Sequence, residues 1–210
     1  YLTRRSDEVG LNNIINKIRK EGGEASGKLL NAVQENSIEE LVNEIEKNIG
    51  QIDVAVYNLG AQIGNKPLEN LSNKVFELGW KMGTFGLFRL ARTLFPFMVK
   101  RKKGTLIVTS STAAVRGNKG QHSHAAAMGG RRMLCQTLAD EYSRLGIHVI
   151  HAIIDGAVDA PDTLGKMLGP EAYKKLRENK GLEKDGLILP EKIAEAYYYL
   201  SEQNRSTWTH

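Results

Sequence analysis

Stretches whose apolar residues recur every three or four positions alternate along this chain with short runs of β-branched residues, an order that calls for a parallel sheet covered by helices on both faces. Leu11, Ile14, Ile15 and Ile18 share one helical face behind a Ser6 cap, and Gly22 and Gly23 stop that helix. Residues 29–33 read as a weak strand. Ser37 and Glu40 have the spacing of a capping box that opens a second helix bearing Leu41, Val42 and Ile45. Residues 52–57 read as a buried strand. Ser72 caps a helical region that breaks near Gly79 and continues through Trp80, Phe85, Phe88, Leu90 and Leu94 to about Val99, with Pro96 placed to kink its last turn. The pattern then predicts a strand over 105–109, a helix over 124–144 and an almost wholly apolar strand over 147–153, buried on both faces. Residues 156–183 are mixed, with short helices after Ala160 and Pro170. Pro190 suits the first position of a last helix, and residues 206–210 begin a final strand.

The fold class that follows is α/β, a three-layer, doubly wound, Rossmann-like parallel sheet, with residues 1–210 as one domain. Such a sheet starts with a central strand and a glycine-rich turn, whereas this chain opens near the end of what reads as a second strand. The first strand and its turn are therefore expected to be absent from residues 1–210, together with the last C-terminal residues. Leaving out a central strand would strand ladder groups at about 1–3 kcal/mol each. The single cysteine, Cys135, allows no internal disulfide, which points to a cytoplasmic protein. No run of about 18 apolar residues occurs, so no membrane span is expected. The net charge is +5, and the densest basic run, Lys100 to Lys103, sits where a helix ends. Cations there complement the carbonyl end of the helix dipole, so no nucleic-acid partner is expected.

Four stretches carry chemistry. Tyr57-Asn58-Leu59-Gly60-Ala61 follows a strand, and Leu106-Ile107-Val108-Thr109-Ser110-Ser111 ends one. His124 lies 13 residues beyond Ser111 and Met128 four further, in a register set by Leu134-Cys135-Gln136-Thr137-Leu138-Ala139 and Gly146-Ile147-His148-Val149. Asp155-Gly156-Ala157-Val158 forms the last stretch. Together these resemble the short-chain dehydrogenase/reductase family over nearly the whole chain, and in particular its members with altered active sites. The resemblance implies that Ser111 holds the place of the active-site serine. It also implies that His124, Met128 and Gly83 stand where the family has its tyrosine, lysine and asparagine. Gly83 is placed there by the Gly86-Leu87-Phe88 pattern that follows it. A serine at a strand end is, taken alone, a common turn former.

In the family reaction a hydride passes between a nicotinamide and a carbonyl carbon while the tyrosine phenol exchanges the oxygen's proton, aided by the lysine cation. A phenol with a pKa near 10 needs that cation at neutral pH, whereas an imidazole near 6.5 does not. Ser111 and His124 are therefore the candidate catalytic pair. The resemblance also implies cofactor contacts at Arg4, Arg5, Asn31, Asn58, Gly60, Gly156 and Val158. The two arginines at the first strand's end suit a 2′-phosphate, which favours NADP over NAD. His122 is expected in a loop near the same cleft. Two functions follow. One is an NADP-linked interconversion of small-molecule carbonyls and alcohols with a degenerate site. The other is a catalytically inactive dinucleotide-binding or cofactor-free scaffold. In either case the resemblance implies a homodimer or homotetramer built on the helices at 80–99 and 124–144, with small residues at 125, 126, 127, 129 and 130 permitting close approach.

Overall fold

A computed structural model describes residues 1–60, 62–181, 184 and 186–210. The alternation read from the sequence is present as β1 (Leu2–Arg4), α1 (Glu8–Lys20), β2 (Gly27–Leu29), α2 (Ser37–Asn48), β3 (Val54–Tyr57), α3 (Asn73–Trp80), a π-helical turn (Lys81–Phe85) and α4 (Gly86–Arg101). There follow β4 (Gly104–Ser111), α5 (His122–Tyr142), β5 (Ile147–Ile154), a π turn (Pro161–Gly165) running into α6 (Lys166–Leu168), then α7 (Pro170–Lys180) and α8 (Pro190–Ser201). Every strand pairing is parallel, as crossover helices require.

The strands form two separate sheets, β1–β2 and β3–β4–β5. That division is compatible with the expected absence of a central first strand. β3 pairs only with β4 among the described residues, and its alternate side chains Val54 and Val56 are exposed, so the expectation of a buried strand at 52–57 is corrected. β4 and β5 pair over eight positions, from Gly104 opposite Ile147 to Ser111 opposite Ile154. Their core is filled by Leu87, Leu94, Phe95 and Met98 of α4, which recur at helical spacing, against Leu106, Val108, Ile147 and Val149 of the sheet and Cys135 of α5. Each fully buried side chain of this size is worth about 1.5–3 kcal/mol. β5 is sealed only over its first half; Ile153 is exposed.

Several local expectations are corrected. Asp7, not Ser6, caps α1, because its carboxylate accepts from the Gly10 amide at 2.9 Å. The capping box at Ser37 does not form: the Ser37 hydroxyl donates to the Asn31 and Gln34 carbonyls and so builds a turn over residues that were read as strand. The helical break falls at the π turn 81–85 rather than at Gly79, and α4 continues through Pro96 to Arg101. His122 is the first residue of α5, not a loop residue. Residues 205–207 form a 3-10 turn instead of a strand. Within the basic run, Arg101 does not face water; it makes two 3.0 Å bonds to the buried carboxylate of Glu46. Of the small residues on α5, Ala127 and Gly130 serve packing inside the chain, against Gly83 and Thr84. No helix among the described residues is long and apolar enough to cross a membrane.

Candidate active site

Ser111 ends β4, and His124 lies on the first turn of α5. The start of α5 is fixed by its neighbour Ser123, which is buried against Gly79 with its hydroxyl 3.4 Å from the Val75 and Phe76 carbonyls. A Cβ at Gly79 would lie 2.1 Å from the Ser123 Oγ, so this close approach requires glycine. The result is a contact across 13 residues of sequence, with Ser111 Oγ 3.1 Å from His124 Nε2. Ser111 is half-buried and His124 buried. A hydroxyl and an imidazole in hydrogen-bond reach can together orient an oxygen and move its proton.

Met128 is 2% exposed, and its sulfur accepts from the Ser110 hydroxyl at 3.8 Å. Gly83 lies in the π turn, pressed onto α5: a Cβ there would be 2.6 Å from the Ala127 Cβ. No side chain fits at residue 83 without moving a helix. Ala113 and Ala114, just after Ser111, pack with Ala127, Met128 and Met82 in a small apolar cluster.

Sequence reasoning missed Arg131, one turn beyond Met128 on the same buried face of α5. Its side chain is 2% exposed. Its guanidinium donates to the Gly83 carbonyl at 2.8 Å, the Leu59 carbonyl at 2.9 Å and the Thr109 carbonyl, and it lies 5.1 Å over the Tyr57 ring. One fork thus ties the π turn, the segment after β3 and the end of β4, the three pieces of backbone around the pair. Burial lowers the Arg131 pKa. It also pushes the Tyr57 phenol up to about 12, so Tyr57 remains a donor, bonded to the Met82 carbonyl at 2.6 Å. The available signal was positional: 124, 128 and 131 recur at i, i+4 and i+7, and an arginine on such a face has to be satisfied by buried acceptors.

The expected cofactor contacts lie elsewhere on the strand ends. Arg4 ends β1, bonds the Asp7 carboxylate and places a second nitrogen 3.5 Å from Asp162 Oδ2 in the 161–165 turn. The Gly10 amide first, and the Arg4 cation after it, hold the Asp7 pKa below its usual value. Arg5 is exposed just beyond the strand, and Asn31 is exposed in the turn after β2. Asn58 and Gly60 are exposed after β3, with open space where a Gly60 Cβ would be; Ala61 lies outside the described residues. Gly156 and Val158 follow β5, and Val158 bridges Ile188. The exposed strand ends, the open space at Gly60 and the exposed Arg5 are compatible with the adenosine side of a dinucleotide, whereas Arg4 already pairs with Asp7 and Asp162.

A family model described as short chain dehydrogenase matches residues 2–166. The chain belongs to the short-chain dehydrogenase family. It is 33% identical over 141 residues to the 12alpha-hydroxysteroid dehydrogenase of a Clostridium species, a match covering 67% of this chain and 54% of that protein. The chain therefore spans about half the length of that curated relative. Among solved structures it resembles a short-chain dehydrogenase from Rhodopseudomonas palustris, with 26% identity, a TM-score of 0.78, and coverage of 99% of this chain and 81% of the other. A metagenomic short-chain oxidoreductase solved in complex with NADP shares the fold at a TM-score of 0.78 and 19% identity, covering 99% of this chain and 80% of its own. The short-chain dehydrogenase fold is thus kept around Gly83, Ser111, His124 and Met128.

Proposed function

We propose that this protein is a cytoplasmic, NADP-linked oxidoreductase that interconverts small carbonyl compounds and alcohols with a reduced set of side chains. The single observation that carries the reading is the 3.1 Å contact between Ser111 Oγ and His124 Nε2. The Ser111 hydroxyl holds the substrate oxygen, and His124 gives it a proton in reduction or takes one in oxidation. Arg131 fixes the backbone around both. Arg4, Arg5, Asn31, Asn58 and Gly60 would hold the adenosine side of NADP, and Gly156 and Val158 the nicotinamide side. When bound, the dinucleotide supplies or accepts the hydride. The preference for NADP over NAD rests on the arginines at the end of β1, and NADP in the related metagenomic oxidoreductase agrees with it. Turnover is expected to be slow, since losing a positioned acid or an electrostatic partner each costs about 100-fold or more.

The test is a carbonyl-substrate panel with NADPH. NADPH-dependent reduction that falls at least about 100-fold in His124→Ala supports the reading; reduction that is unchanged in that variant removes it. A second reading, an inactive oligomeric scaffold, is favoured by an aromatic ladder on α3 and α4. Trp80 and Phe85 stack at 5.2 Å and Phe85 and Phe88 at 6.1 Å, all three more than a third exposed. Such a face suits a homodimer or homotetramer. Sedimentation of wild type against Phe85→Glu tests it: dissociation of an assembly supports this face as the contact, and a monomeric wild type excludes it.

A further inference from the structure

Replacing a phenol and a cation by an imidazole and a thioether changes what Ser111 can do. A serine hydroxyl bonded to a histidine is the arrangement that activates an alcohol as a nucleophile. We propose that Ser111 is an acyl-accepting nucleophile, with His124 as its general base, acting on small carboxylic esters. The inference draws on the same two side chains as the reductase reading but needs no dinucleotide.

Four observations carry it. The Oγ–Nε2 distance of 3.1 Å is within the reach a nucleophile–base pair needs. Both partners are held, Ser111 by its place opposite Ile154 in the β4–β5 ladder and His124 by the Ser123–Gly79 contact one residue earlier. The cluster of Ala113, Ala114, Ala127 and Met128 is apolar, and the neutral sulfur at residue 128 puts no cation there to oppose the imidazolium that must form. Ser111 is half-buried rather than sealed. The cysteine, Cys135, is fully buried and its thiol is pushed up to about 12 by that burial, which leaves it inert.

The chemistry balances without an oxidant. With the ring proton on Nδ1, Nε2 takes the Ser111 proton as Oγ bonds to the ester carbonyl carbon; the ester C–O bond breaks, and the departing alkoxide takes the proton from Nε2. Water then loses a proton to Nε2 while its oxygen attacks the acyl carbon, and that proton returns to Ser111 Oγ as the carboxylic acid leaves.

The experiment exposes the full chain to p-nitrophenyl acetate and, separately, to a fluorophosphonate probe. It reads intact mass, maps the modified peptide and titrates NADPH on the same preparation. Expected are one phosphonyl adduct per chain at Ser111, a p-nitrophenolate burst near one equivalent, and labelling at least about 100-fold slower in His124→Gln. Peptide mapping on the wild-type chain locates the adduct even if a variant fails to fold. No adduct at Ser111, or equally fast labelling in a folded His124→Gln, overturns the inference. An adduct without NADPH binding supports it and removes the reductase reading; NADPH binding without an adduct does the reverse.

Discussion

The three-stranded unit β3–β4–β5 and the two-stranded unit β1–β2 are built from the same parallel pairing but held by different forces. In the first, β4 is almost wholly buried, the buried Arg131 donates to three backbone carbonyls, and Arg101 pairs with a Glu46 carboxylate that is 3% exposed. In the second, no residue of either strand is buried, and its ion pairs are partly exposed, Lys28 with Glu44 at about 40% on both sides. The Ser111–His124 contact belongs to the well-buried unit, and the arginines proposed for the dinucleotide belong to the exposed one. The pair is thus held by burial, whereas Arg4 and Arg5 sit on elements that contribute little burial of their own.

The comparison breaks most directly at Arg131. Arg131→Met leaves the buried Gly83 carbonyl and the part-buried Leu59 and Thr109 carbonyls without this donor, and at about 1–3 kcal/mol for a buried unsatisfied group the loss should be about 2 kcal/mol or more. The midpoint of denaturant unfolding reads it, and a loss under about 1 kcal/mol would show that the well-buried unit does not depend on this fork. Gly83→Asn puts a Cβ 2.6 Å from that of Ala127 and should cost about 1–3 kcal/mol by overpacking, measured the same way. A neutral result would mean that α5 can shift to admit the family's asparagine.

A third test uses pH. Burial, joined by the nearby His210, Arg131 and Arg132, lowers the His151 pKa from 6.5 to about 4. The unfolded chain therefore binds this proton first, so the stability it represents is complete above about pH 6.5 and is lost as pH falls towards 4. Discounted for partial exposure, the effect is about 1–2 kcal/mol. His151→Gln should flatten the fall in melting temperature across that window; an unchanged slope assigns it to other groups. In the exposed unit, Lys28→Ala should change stability by less than about 1 kcal/mol, as exposed pairs do, and lose even that in high salt. A larger loss would make β1–β2 more dependent on charge than its exposure implies.

Where local periodicity and fixed spacing coincide, the molecule was legible. The β4–α5–β5 order, the Ser72 cap and Pro190 at the start of α8 follow from apolar pattern and turn chemistry. The adjacency of Ser111 and His124 was legible through the family resemblance, which implies a partner 13 residues beyond the serine. Side-chain competition for backbone hid other features. At α1 a carboxylate outcompeted the neighbouring hydroxyl as cap, and at Ser37 the hydroxyl donated to carbonyls where a cap must accept. Arg131 was illegible because its partners are carbonyls from three distant segments, and no sequence pattern announces a carbonyl. The π turn at 81–85 was likewise hidden, since its insertion depends on how closely Gly83 meets Ala127.

The central claim is that a short-chain dehydrogenase fold keeps its dinucleotide chemistry with Ser111 and His124 as the proton-handling pair. Calorimetric titration of the protein with NADPH and NADH, followed by single-turnover reduction of a bound carbonyl substrate, tests it most directly. The account predicts micromolar NADPH binding, weaker NADH binding and a reduction step abolished in His124→Ala. Binding of neither nucleotide would contradict it.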